Sequence, residues 1–231
     1  MSGDVRYSFK LDNHKQVVFD VATGPVELER GESHPDWAKL SFEQCSCCPL
    51  KESNCKYCPT ATRMNEVMEA FADRESTEMV EVTVKTVERS YFDRCDLQVG
   101  INSLLGLMMA TSGCPVLNKL GAMASFHIPF CTSEETLQRS VGSYLIKQYF
   151  KQLNGEAPDW ELKELKELYD VLEGLNRDFS RRIKKSVTSD AVTNAVIMFF
   201  ATSIMLASSL DQQLAKHQNY LTNTPPEPKS K

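Results

Sequence analysis

Most sequence signatures of catalysis are missing from this chain. It has no Gly-x-Ser-x-Gly elbow, no glycine loop of the kind that cradles phosphates, no His-Glu-x-x-His and no dinucleotide fingerprint. Histidine is scarce, at 4 in 231 residues, so few imidazoles are on hand for proton transfer. Carboxylates are plentiful, but their spacing marks no paired acid and base; only an enzyme assembled from scattered residues stays open, with a pocket between sheet and helices. An excess of positive charge is missing too. With 26 Lys and Arg against 31 Asp and Glu, the net charge of -5 argues against a dedicated nucleic-acid binder, which needs a basic face.

A membrane span is also not expected. The longest apolar run, residues 191–207, carries Thr193, Asn194, Thr202 and Ser203 and falls short of the roughly 20 apolar residues that cross a bilayer. Its all-round apolarity suits a helix in a bundle core or at a subunit interface. The opening Met-Ser-Gly-Asp-Val-Arg-Tyr-Ser-Phe-Lys lacks the basic-then-apolar pattern of a secretory signal. The expectation is a cytoplasmic protein with reduced thiols, in which clustered cysteines hold metal rather than form disulfides.

Cysteine is what the chain does have. Five of its 8 cysteines fall in residues 45–58, and four of those form Cys45-x-x-Cys48 and Cys55-x-x-Cys58. Two such turns across a short spacer can aim four sulfurs at one point, which suits tetrahedral zinc. Cys45, Cys48, Cys55 and Cys58 are therefore the expected ligands of a closed, structural zinc site. The alternative is an iron–sulfur cluster in a redox sensor, with Cys47 as a spare thiol; Pro59 after Cys58 resembles the end of a ferredoxin run, although the usual ferredoxin spacings differ. Cys114, His127 and Cys131, with Cys95 nearby in the chain, form a possible second set, in which Cys114 at a helix start would be the most reactive thiol. The bland alternative is two packed thiols and a backbone-bonded histidine. His34 could approach the cluster. Arg177, Arg181, Arg182, Lys184 and Lys185 read as a solvated basic face at a helix end.

Periodicity gives the architecture. Val5, Tyr7 and Phe9 alternate with polar neighbours, as do Val17, Phe19 and Val21, which predicts a hairpin turning near residues 12–15. Trp37, Leu40 and Phe42 suggest a third strand and residues 79–87 a fourth. A helix after Pro59 carries Met64, Val67, Met68 and Phe71 on one face. From residue 93 the signals are helical, with helices expected near residues 97–111, from Cys114, from Ser133, over 159–185 and from 189 to 220. The predicted fold class is α+β: a small N-terminal antiparallel sheet with a four-cysteine metal loop and one helix, then a C-terminal helical bundle. The expected units are 1–92 and 93–221, with 222–231 a disordered tail. A sheet this small needs a staple, which the cysteine loop can supply.

The hairpin followed by Leu-Ser-Phe-Glu-Gln-Cys45-x-x-Cys48-Pro-Leu and Cys55-x-x-Cys58-Pro resembles an uncharacterised bacterial protein family over roughly residues 1–220. The later Ser112-Gly113-Cys114-Pro115 and Phe126-His127-Ile128-Pro129-Phe130 stretches fit the same resemblance. It implies a shared fold and metal loop, not a reaction. The functional expectation is a zinc-stapled module that binds a protein partner or a second copy of itself through its C-terminal helices.

Overall fold

The computed structural model describes residues 4–12, 15–24, 33–186 and 190–222. The tip of the first hairpin at 13–14 and the tail at 223–231 lie outside the described residues.

Four antiparallel strands form one sheet: β1 (Asp4–Lys10), β2 (Gln16–Ala22), β3 (Met79–Lys85) and β4 (Ser90–Asp96), in the order β2-β1-β3-β4. β1 pairs with both β2 and β3, so Tyr7 lies opposite Phe19 on one side and Val84 on the other. The alternation read in the sequence is the burial pattern of the sheet: Val5, Tyr7, Phe9, Phe19, Val80, Val82 and Val84 face inward.

Two strand expectations change. Residues 36–42 make no strand of the sheet. Asp36–Ala38 is a 3-10 turn that starts after Pro35, and the chain then runs beside the second cysteine pair, with an isolated bridge between Lys39 and Tyr57. Leu40 N–H donates to the Lys56 carbonyl (2.9 Å) and Cys58 N–H to that of Ala38 (2.7 Å). Trp37 and Leu40, three residues apart, fit that turn better than a strand, whose period is two. The fourth strand is instead β4, within and just before the region expected to be helical. It is an edge strand with neither face fully buried, and Phe92 is 65% exposed.

Among the described residues there are six α-helices, one between β2 and β3 and five after β4: α1 (Pro59–Ala70), α2 (Leu97–Ala110), α3 (Gly121–Ser125), α4 (Ser133–Leu153), α5 (Lys163–Ser186) and α6 (Asp190–Thr222). Pro59 takes the first position of α1, where its missing N–H costs no hydrogen bond. Thr132 and Glu135 form a capping box that starts α4. α5 begins later than residue 159, because the Asp159 carboxylate accepts Glu164 N–H at 2.8 Å and so acts ahead of the first turn. α6 is fixed at its start by Asp190, which accepts Ser76 N–H at 2.7 Å.

α2 joins sheet to bundle. At Gly100 a Cβ would stand 2.8 Å from Phe9 Cε1 and 2.9 Å from Val82 Cγ2, so glycine is required for the helix to lie this close to the strands. Further along, Gly106 admits the Phe199 ring of α6. The apolar run read at residues 191–207 buries Ala191, Val192, Ala195, Val196 and Phe200 within the bundle. One continuous apolar core therefore passes from the sheet through α2 into α5 and α6. Among the described residues, no helix is long and apolar enough to cross a membrane. The fold is α+β, with a small N-terminal antiparallel sheet and helices gathered toward the C-terminus.

Candidate functional site: a cysteine-lined cleft

The cysteine loop, the start of α1, the connection after α2 and one face of α5 meet around a small cleft of about 20 Å³. Five sulfurs line it: Cys45, Cys47, Cys48, Cys58 and Cys114. All are free thiols.

Local structure explains each placement. Cys45 and Cys48 flank a tight turn closed by Cys48 N–H to the Cys45 carbonyl (3.0 Å). The Cys58 carbonyl accepts Thr62 N–H (2.9 Å), so Cys58 is the N-cap residue of α1. Burial pushes its thiol up, while the nearby amides of Thr60 and Ala61 and the Arg182 charge act the other way. Cys114 is brought in by the hydroxyls of Thr60 and Ser112, 3.0 Å apart, each two residues from a cysteine. The Cys114 carbonyl accepts Asn118 N–H at 2.9 Å, so Cys114 stands at the start of a single helical turn that runs into the 3-10 segment Leu117–Leu120.

Cys55 is outside the cleft. Its thiol donates to the Tyr57 carbonyl at 3.0 Å. Of the four expected zinc ligands, Cys45, Cys48 and Cys58 reach the cleft, joined there by Cys47 and Cys114. Among the described residues, no three His, Cys, Asp or Glu side chains already stand in a metal-holding arrangement; the sulfurs ring the cleft without converging on a point.

α5 supplies the polar frame. Asp178 is buried and accepts both the Ser46 N–H and the Ser46 hydroxyl, each at 2.7 Å. Burial alone would raise its pKa, but those two bonds and Arg181 hold the carboxyl below its ordinary value. One turn on, Arg182 is 1% exposed. Its guanidinium donates from Nη1 to the carbonyls of Trp37 (2.7 Å) and Lys39 (2.8 Å) and from Nη2 to Leu40 (3.2 Å). Nε is buried with no partner, and among the described residues no carboxylate comes within ion-pair distance of Arg182. Arg182 therefore corrects the reading of residues 177–185 as a solvated basic face. It shares the helix face of Leu175 and Phe179, seven and three residues earlier, a spacing that could have marked it as inward-facing.

Burial keeps Cys45, Cys47 and Cys55 as neutral thiols, which are poor nucleophiles. Burial pushes the Cys45 thiol up to about 12 and raises Cys47 and Cys55 as well, whereas a reactive cysteine has its pKa lowered. Bound metal inverts that balance by deprotonating the thiols it takes.

The second candidate set does not form one cluster. Cys114 belongs to the cleft, His127 to Tyr7, and Cys131 to Arg139, whose Nη1 donates to its sulfur at 3.3 Å. Cys95 lies on β4 opposite Val80, and His34 packs its ring edge-on to Tyr57. Around His127 a hydrogen-bonded chain assembles. Phe130 N–H donates to Ser103 Oγ (3.0 Å), Ser103 Oγ lies 2.8 Å from the Tyr7 hydroxyl, and that hydroxyl lies 2.6 Å from His127 Nε2. Every group is satisfied when Ser103 donates to Tyr7 and Tyr7 donates to a neutral imidazole. Burial, with the Arg139 charge added, pushes His127 down to about 3.

A folded-state pKa below the unfolded value means that the unfolded chain takes the proton first. His127 thus contributes stability that is full above about pH 6.5 and is lost as the pH falls toward 3, by up to about 1.4 kcal/mol per pH unit. Urea unfolding at pH 7 and pH 5 should show this slope in the wild type and a flatter one in His127→Gln. Equal slopes would mean that His127 is not held neutral by the fold.

An α+β protein in which the cysteine loop, α1, α5 and the connection after α2 enclose one cleft is the class that fold and site define. The chain belongs to the family described as a domain of unknown function (DUF6901), whose model matches residues 5–222. That span agrees with the resemblance to an uncharacterised family. No curated protein matches the chain, and no solved structure does.

Proposed function

We propose that this chain is a metal-stapled binding protein of the cytoplasm, in which a thiolate-held zinc ion fixes the cysteine loop and the helical half engages a partner or a second copy. One observation carries the reading: five sulfurs share one cleft with Arg182, a buried cation that makes no ion pair among the described residues. A buried, unpaired charge is costly, whereas four thiolates on one divalent ion leave a net charge of about −2 to face it. The donor set fits a soft or borderline cation. A reducing compartment would keep these thiols free for it. For the binding half, Ile146, Tyr149, Phe150 and Leu153 stand exposed on α4 at helical spacing, an apolar stripe of the kind found at protein interfaces.

The fifth sulfur supports a second reading, an iron–sulfur redox sensor, since zinc needs four. Metal analysis and an absorption spectrum of freshly purified protein separate the two. Zinc at about one per chain with no visible bands is the expected result. A brown protein with iron and acid-labile sulfide would replace zinc by the cluster, and protein that takes up neither would remove the metal reading altogether.

A further inference from the structure

We infer that the apolar stripe on α4 is where a second copy of this chain docks, in an antiparallel pair of α4 helices about a two-fold axis. The inference rests on the reading that the helical half engages a partner or a second copy, and it names the occupant and the face.

The C-terminal half of α4 has its polarity reversed. Over residues 146–153 the one buried side chain is Gln148, 2% exposed, whose Oε1 accepts Asp159 N–H at 2.9 Å. On the opposite side Ile146 (58%), Tyr149 (53%), Phe150 (56%) and Leu153 (63%) stand in water. A helix that buries an amide and exposes its large apolar side chains is arranged for a second surface to cover it. Trp160, 49% exposed, directly follows the residue bonded to Gln148 and extends the patch.

Size and symmetry point to a second copy. Five large side chains, each about half exposed, offer about 500 Å² per chain and about 1,000 Å² for a pair, the area that a specific interface must clear. Positions 146, 149, 150 and 153 read the same in both chain directions about the point between 149 and 150. A two-fold axis through that point lays Ile146 of one copy over Leu153 of the other. It sets Phe150 against Phe150 and Tyr149 against Tyr149, an isologous contact that closes on itself. Antiparallel helices also place opposite dipole ends side by side. Segments of the chain outside the described residues are poorer occupants: 223–231 has no large apolar side chain, and 25–32 has Val26 and Leu28 alone.

The test is the mass of the full-length, reduced protein by analytical ultracentrifugation. Wild type should sediment at twice the chain mass of 26.1 kDa. Phe150→Glu and Phe150→Lys each set like charges against each other beside the axis and should weaken the dimer at least about 100-fold, giving monomers. Mixed in equal amounts, the two variants should pair again, because Glu then meets Lys. Position 150 is exposed in the single chain, so both variants should fold, which circular dichroism checks. Should either be insoluble, cross-linking replaces it: in a mixture of isotope-labelled and unlabelled wild type, Lys147 of one copy should join Lys147 of the other. Dimers that survive both substitutions overturn the α4 interface while leaving self-association in place, and monomeric variants that fail to pair on mixing overturn the two-fold register. Wild type that stays monomeric overturns the second copy and leaves the helical half to a different partner; a dimer that then forms on deleting residues 223–231 would put the chain's own tail on α4.

Discussion

Replacing Arg182 by leucine is expected to destabilise the protein by about 3 kcal/mol or more, because three buried carbonyls lose their donor at once. Leucine fills part of the volume but leaves the carbonyls of Trp37, Lys39 and Leu40 without donors, and each unsatisfied buried group costs about 1–3 kcal/mol. For a chain of this size the melting temperature should fall by roughly 10 °C. Arg182→Lys should recover little of that, because a single ammonium cannot span three carbonyls as the planar fork does. Exposed Arg177, five residues away on the same helix, is the control: its alanine variant should stay within about 0.5 kcal/mol of wild type. Arg182→Leu protein that melts with the wild type would mean that the clamp contributes nothing.

Stripping the metal is expected to have the second large effect, and a local one. Structural zinc contributes about 10–16 kcal/mol in small fingers that are unfolded without it. Here sheet, α2 and bundle share an apolar core of which only Val116, Leu117, Leu175 and Phe179 line the cleft, so the chain should stay folded when a chelator is added. What should open is the loop from about residue 40 to 58, which has few buried apolar side chains of its own beyond Leu40. Hydrogen exchange followed by mass spectrometry should show loss of protection there and at the start of α1, while β1, β3 and α2 keep theirs. Unchanged protection of the loop after verified metal removal would sink the idea that metal staples it.

Much of the fold could be read from local pattern, and the failures have physical causes. β1, β2 and β3 were legible because one face of each contacts the core, so apolar and polar residues alternate. β4 was not, since an edge strand with both faces half-exposed keeps no contrast: Tyr91, Asp93 and Cys95 share one side, and Phe92 sits on the other in water. The segment with Trp37, Leu40 and Phe42 has the composition of a strand, but its backbone bonds go to the cysteine loop instead. For the site, spacing within residues 45–58 identified the sulfurs but not the partners that approach from elsewhere. Cys114 reaches the cleft through a contact between hydroxyls 52 residues apart, and Arg182 through bonds spanning more than 140. No periodicity encodes contacts of that range. Arg182 was hidden further by its four basic neighbours, whose charge suggested water.

The separation between Arg182 and the carbonyls it clamps also sets an order on how the molecule can be made. A chain emerges from its N-terminus, so the cysteine loop is complete long before α5 exists to hold it. Until residues 178 and 182 have been synthesised, Ser46 lacks its carboxylate acceptor and the carbonyls of residues 37, 39 and 40 lack their donor. Five thiols are then on a tether that nothing has yet closed, open to oxidants and to whichever thiophilic ion arrives first. Faithful assembly of the cleft is thus a late event in the life of each new molecule, completed only after nearly four-fifths of the chain has left the ribosome.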